Sequence, residues 1–333
     1  MKRLLISVIF MVLTASPLLW AQGPPPPPMN VKEVIALLKS KQRHEESVKI
    51  VMARGVDFEL TPEIEKQLRK AKADDPFIQM VKESGPSERL ARGGAPPIPP
   101  EEGRAILAMQ NELDPDRKLQ LVKEFEEKYP SSQLLTYAYS FAATAYQEKG
   151  DAEQVIAYGD KSLKLKSDNL MALLLLASIL PQPQMLRGSE SEKVKNLGQA
   201  ETYANEALKL IADLPKKPGE TDEELQKRKA QLNTEPHAAL GMVHLQRSSM
   251  GLEGPDKAEL AKAEQEFETA ISTGNQPDAQ DYYRLGEARS LEGKYDGAIE
   301  AFTKAAELGQ GTVVKTFAEQ RIDEIRKKRP ASN

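Results

Sequence analysis

Residues 282–308 read YYRLGEARSLEGKYDGAIEAFTKAAEL. Tyr282, Leu285 and Gly286 fall on one face of a helix, because residues three and four apart share a side. Gly293 marks a turn. Ala298, Phe302 and Ala305 then recur at helical spacing, which predicts a second helix. The small residues Gly286, Ala298 and Ala305 let two antiparallel helices approach closely, and the large ones fill the space around them. This stretch is expected to be a helical hairpin.

The same pattern recurs upstream. Tyr139, Ala142, Ala143, Tyr146 and Gly150 match the first helix and turn, with Val155 and Leu163 on the second helix. One period of about 34 residues later come Leu173, Leu176, Ala177 and Leu180. There the insertion PQPQMLRGSES displaces the second helix, which resumes at Ala200, Ala204 and Ala207. A further copy runs through His237, Leu240, Gly241 and His244. After a second insertion, SSMGLEGPDK, it continues with Ala263, Phe267 and Ala270. The earliest copy is degenerate, with Leu121 and Phe125 on its second helix. A last helix carrying Val314, Phe317, Ala318, Ile322 and Ile325 reads as a solubilising cap. First helices are expected near 136–149, 170–180, 234–247 and 279–292.

These copies in phase resemble the tetratricopeptide repeat over residues 102–328. In that family a large residue precedes leucine and glycine, and an alanine, an aromatic and another alanine follow. Arg289 stands where the family usually has an aromatic, and no proline closes the unit. The resemblance implies an all-α superhelix of about five helical hairpins plus a C-terminal capping helix. It also implies a concave groove lined by first helices that binds a protein or peptide partner.

Residues 169–180, NLMALLLLASIL, are apolar almost all round, whereas a surface helix shows one apolar stripe. Leu173, Leu176 and Leu180 are packing positions of the repeat. Met171, Leu174, Leu175 and Ser178 form a neighbouring stripe, which the resemblance directs toward the groove. The equivalent stripes hold Tyr137, Phe141 and Thr144 on the preceding first helix, and Ala238, Met242 and Leu245 on the following one. Tyr283 and Arg284 stand at one end. A groove with an apolar middle is expected, suited to an apolar or amphipathic peptide held by methionine and aromatic contacts. Filling of that groove by an insertion or by the N-terminal unit is the alternative.

The chain begins with a targeting signal. Lys2 and Arg3 precede an apolar run from Leu4 to Leu13, and Ala21 suits the residue before a cleavage point. Residues 1–21 are therefore expected to be a bacterial export signal, which places the protein in the periplasm or outside the cell. An uncleaved membrane anchor is the alternative. Residues 22–29 form a proline-rich spacer expected to be extended and stiff. A small, mostly helical unit follows over 30–84. Asn30, Thr61-Pro62 and Asp75-Pro76 give helix starts, and the alternation of Val56, Phe58 and Leu60 in GVDFEL gives a short strand. A packing or docking role is expected for this unit. The Pro/Gly-rich residues 85–101 read as a linker and domain boundary.

Chemistry is hard to find. The 333 residues include no cysteine, which excludes disulfides, thiolate nucleophiles and Cys-ligated metal. A net charge of −4 offers no concentrated basic surface for nucleic acid. His237 and His244 lie two helical turns apart, too far for one zinc, and read as packing histidines. There is no nucleophile elbow or P-loop, and GLEGPDK lacks the spacing of the latter. ETDEELQKRK reads as a solvated helix with favourable charge pairs. The expectation is a scaffold rather than an enzyme, with neither cofactor nor metal. A second reading is an envelope assembly factor that docks through the N-terminal unit while the repeats act as a spacer.

Overall fold

The computed structural model describes residues 27–40, 43–91, 98–217, 220–251, 254–274 and 278–328. The export signal expected over 1–21 lies outside them, as does most of the proline run. The described residues are all-α. Their helices are α1 (Val31–Lys39), α2 (His44–Arg54), α3 (Pro62–Lys70), α4 (Asp75–Glu83), α5 (Pro86–Ala91), α6 (Pro100–Asn111), α7 (Pro115–Lys128) and α8 (Leu135–Glu148). There follow α9 (Ala152–Leu165), α10 (Leu170–Ile179), α11 (Glu190–Ala212), α12 (Asp222–Ser248), α13 (Lys257–Thr273), α14 (Ala279–Glu292), α15 (Tyr295–Leu308) and α16 (Val313–Lys328). Two compact units emerge from their contacts. One takes in residues 22–142 and 215–225, the other residues 143–214 and 226–333.

In the first unit, local chemistry sets the helix starts. Asn30 closes a capping box with Glu33 at the head of α1. Thr61 caps α3, which begins with Pro62. The cap of α4 is Asp74 rather than Asp75, and its carboxylate accepts from the Phe77 N–H at 2.9 Å. Val34, Val51, Val56, Leu68, Phe77, Ile78 and Val81 bury together as one core. The strand expected in GVDFEL does not form. Val56 makes a single parallel bridge with Met29, and no strand occurs among the described residues. With no partner strand, the alternation only tucks Val56 into the helical core. The Arg54 guanidinium donates to the Pro27 carbonyl at 2.9 and 3.0 Å. The expected spacer is thus docked at its last residues. The expected linker over 85–101 also contains structure, since α5 lies within it and α6 begins at Pro100. The units divide inside α8, after Leu214 and inside α12.

In the second unit the helices follow one another as packed neighbours, α9 on α10, α10 on α11, α13 on α14, α14 on α15 and α15 on α16. Small residues set how close they come. A Cβ added at Gly286 would lie 2.8 Å from the Phe302 ring, and one at Gly241 would lie 2.6 Å from the Phe267 ring. Both glycines sit on the first helix of a hairpin and both rings on the second. Gly159, on the second helix α9, instead receives Leu176 of α10, 2.8 Å from where its Cβ would be. Ala177 and Ala204 are likewise small, and they bury with Ala239 and Leu240 of α12. Leu176 of α10 thus fills the space beside Gly159 and ties α9 to α10. The turn glycines Gly150 and Gly293 have φ of 72° and 82°, a left-handed conformation that costs glycine nothing.

First helices were expected over 170–180 and 279–292, and α10 and α14 match them within a residue. The fourth differs. Helix α12 begins at Asp222 and runs through Pro236, so the stretch read as a separate solvated helix is its N-terminal half. The first insertion holds a 3-10 turn over Pro183–Leu186 and then the Ser189 capping box that starts α11. The Asn196 amide donates to the Met185 carbonyl at 2.9 Å and pins that turn to α11.

Candidate interaction face

Helix α10 was expected to turn one apolar stripe toward an open groove. The structure corrects this. Leu174 is 3% exposed and Leu175 1%. Leu170, Leu173 and Leu174 bury against Ala207 and Ile211 of α11, Leu214, and Leu232 of α12. Met171 meets the Thr144 hydroxyl of α8, which donates to its Sδ at 3.9 Å. With α9 packed on it as well, α10 is enclosed by four helices. That enclosure is why its sequence is apolar on every side. The N-terminal half of α12 supplies Leu232, so its extension covers leucines that a shorter helix would leave in water.

The other expected groove residues divide in two. Phe141, Thr144, Met242 and Leu245 are also buried. Met242 and Leu245 share a core with Leu260, Ala263 and Phe267 of α13 and Leu285 and Ala288 of α14. Tyr137, Ser178, Ala238, Tyr283 and Arg284 remain partly exposed. Of these, Ser178, Ala238, Tyr283 and Arg284 lie in the second unit, one each on α10 and α12 and two on α14.

Arg284 is not a free cation. Its Nη1 donates to the Glu287 carboxylate at 2.6 Å, and its guanidinium lies 5.8 Å from the centre of the Tyr283 ring. The Tyr283 ring packs edge-on against Phe302 at 5.3 Å. Arg321 of α16 reaches the other oxygen of Glu287 at 3.6 Å. Burial, followed by the nearby Glu287 charge, holds the Tyr283 phenol above its ordinary pKa. This end of the face is an aromatic ring framed by a neutralised ion-pair network.

The histidines are packing residues paired to glutamates. The His237 Nδ1 lies 2.7 Å from Glu266, and the His244 Nδ1 lies 2.7 Å from Glu259, which joins α12 to α13 twice. Burial pushes the Glu259 carboxyl up, but hydrogen bonds from Lys262 and His244 outweigh it and bring it below the ordinary range. Arg289 is held by carboxylates of the preceding helix. It donates to Glu264 at 2.7 Å and to Glu268 at 2.5 Å on α13, and Lys294 also reaches Glu264.

One cluster escaped the sequence reading. Asp281 is 9% exposed. Burial, then Asp278, then Glu235 push its carboxyl up to about 8, against a smaller opposing effect of Arg284. Burial and Asp278 likewise push Glu235 up to about 7. Asp278 itself caps α14, accepting from the Gln280 N–H at 2.9 Å. In sequence these acids are three among 50, and nothing in their spacing distinguishes them. No group able to hold a metal ion occurs among the described residues. No protein-family model, curated protein or solved structure matches the chain.

Proposed function

We propose that the chain is an exported interaction scaffold of tetratricopeptide type, which holds a protein or peptide partner against the partly exposed first-helix residues of its repeat array. The observation that carries this reading is the recurring contact at Gly241 and Gly286, each closed by a phenylalanine of the following helix. Repetition of one hairpin unit builds an extended surface rather than an enclosed reaction chamber, and such arrays serve as binding surfaces. The partner meets Ala238 and Tyr283 rather than the leucines of α10. An amphipathic segment suits a face that offers one aromatic ring beside paired charges.

Photo-crosslinking in a bacterial host that exports the chain tests this. A crosslinking residue at Ala238 or at Tyr283 is expected to give the same discrete adduct. The same residue at Leu165 or Val194, which are exposed away from this stripe, is expected to give none. Adducts from Leu165 alone, or from Met52 on α2 alone, would overturn the assignment. The Met52 outcome would favour docking through the first unit, with the repeats as a spacer.

A further inference from the structure

We infer that Pro27–Met29 is a strap that fastens the bundle of α1–α4 to α6, so that this end of the proline run is a working part of the fold rather than a spacer. The strap is built into the bundle at one end. The Met29 N–H donates to the Gly55 carbonyl at 3.0 Å, and the Asp57 N–H donates to the Met29 carbonyl at 3.1 Å. The Met29 side chain is buried in the same core as Val34, Val51 and Phe77. Two residues earlier, Nε and Nη2 of Arg54 both donate to the Pro27 carbonyl. A charged donor makes the stronger kind of hydrogen bond, and two from one guanidinium fix direction as well. Glu33 holds that arginine in place. One of its oxygens lies 3.5 Å from Arg54, and the other accepts from the Asn30 N–H at 2.8 Å. The strap thus lies between two residues, Pro27 and Asn30, that one ion pair grips.

The other attachment is on α6. Gly103 lies inside that helix and is buried. Glycine in a helix interior is ordinarily a poor choice beside alanine. Here a Cβ would lie 2.6 Å from the Pro27 Cβ and 3.4 Å from its Cγ, with Ile98 next at 3.6 Å. The proline ring therefore rests on the α6 backbone. At Gly241 and Gly286 the space of a missing side chain is taken by a ring from the following helix. At Gly103 the ring comes instead from the segment ahead of α1. One proline thus meets the last residue of α2 through its carbonyl and α6 through its ring.

The contact reverses the sign of a common substitution. On a helix with open space at that position, Gly103→Ala would raise the urea midpoint, because alanine favours the helix. With the strap in place it is expected to lower the midpoint, since a rigid ring must be pushed off α6. In a Pro27→Gly background, which removes the ring, the same Gly103→Ala is expected to raise the midpoint again. A rise in both backgrounds would overturn the contact. An equal fall in both would overturn it too, because the crowding would then not come from Pro27.

The fastening itself is read as a distance. The chain has no cysteine, so spin labels go cleanly onto Met52→Cys in α2 and Leu113→Cys just beyond α6, both exposed positions. Pulsed electron resonance on the full labelled chain is expected to give one narrow distance distribution. A labelled chain lacking residues 22–28 is expected to give a broader or displaced one. An unchanged distribution in the folded deletion chain would overturn the strap. Should the deletion chain fail to fold, Arg54→Ala combined with Gly103→Leu in the labelled full chain decides by the same reading.

Discussion

At Gly286 the absence of a single carbon matters. The Phe302 ring occupies the space a side chain would need, at 2.8 Å from the position of a Cβ. Gly286→Leu should lower stability by about 1–3 kcal/mol, the usual cost of overpacking. Pairing it with Phe302→Ala should recover part of that loss, because the two positions share one volume. Chemical denaturation of the four members of the cycle measures the coupling, and strict additivity would show that the ring and Gly286 do not touch. This contact was legible in the sequence, since LGEA before a turn and an alanine–phenylalanine–alanine run after it say which helix faces pack. The burial of Asp281 was not. A single acid beside Tyr282 carries no period that would mark it for burial.

Elements were read well wherever their ends are local events. Asn30, Thr61, Ser189 and the glycine turns at 150 and 293 settle helix boundaries through hydrogen bonds within a few residues. Helix α12 was expected over 234–247, whereas it is a 27-residue helix that begins at Asp222 and contains Pro236. An interior proline removes a hydrogen bond and is tolerated only where packing compensates. That packing is remote in sequence, with Leu232 buried among Leu173, Leu174 and Ile211. Leu232→Ala should therefore cost about 2–5 kcal/mol, as buried leucine truncations do. Hydrogen exchange should speed up in 226–233 and in α10 together. Faster exchange in 226–233 alone would mean that the extension lies on α10 without supporting it.

On the scale of the whole chain, the all-α class was written in the sequence by recurring helical periods, while the state of the groove was not. Hydrophobic stripes give which residues avoid water but not which neighbour covers them. The insertion after α10 and the lengthened α12 supply covers that no repeat pattern encodes. The leucines of α10 thus belong to the core, and the surface proposed for a partner begins at Ala238 and Tyr283. The export reading rests on Lys2, Arg3 and the apolar run after them. Mass spectrometry of protein from a native-type host should find a mature species starting at Gln22, and a species retaining residues 1–21 would favour the anchor.

The division between core and interaction face can be tested directly with two matched charge substitutions, Leu174→Glu and Ala238→Glu. Urea unfolding of each, followed by titration with the partner recovered by crosslinking at Tyr283, separates folding from binding. Leu174→Glu should lose at least about 3 kcal/mol, because it removes a buried leucine and places a charge in its site. Ala238→Glu should change stability by less than about 1 kcal/mol and weaken partner binding at least tenfold, about 1.4 kcal/mol. A Leu174→Glu chain as stable as wild type that no longer binds would contradict the assignment, and it would place the partner on α10 after all.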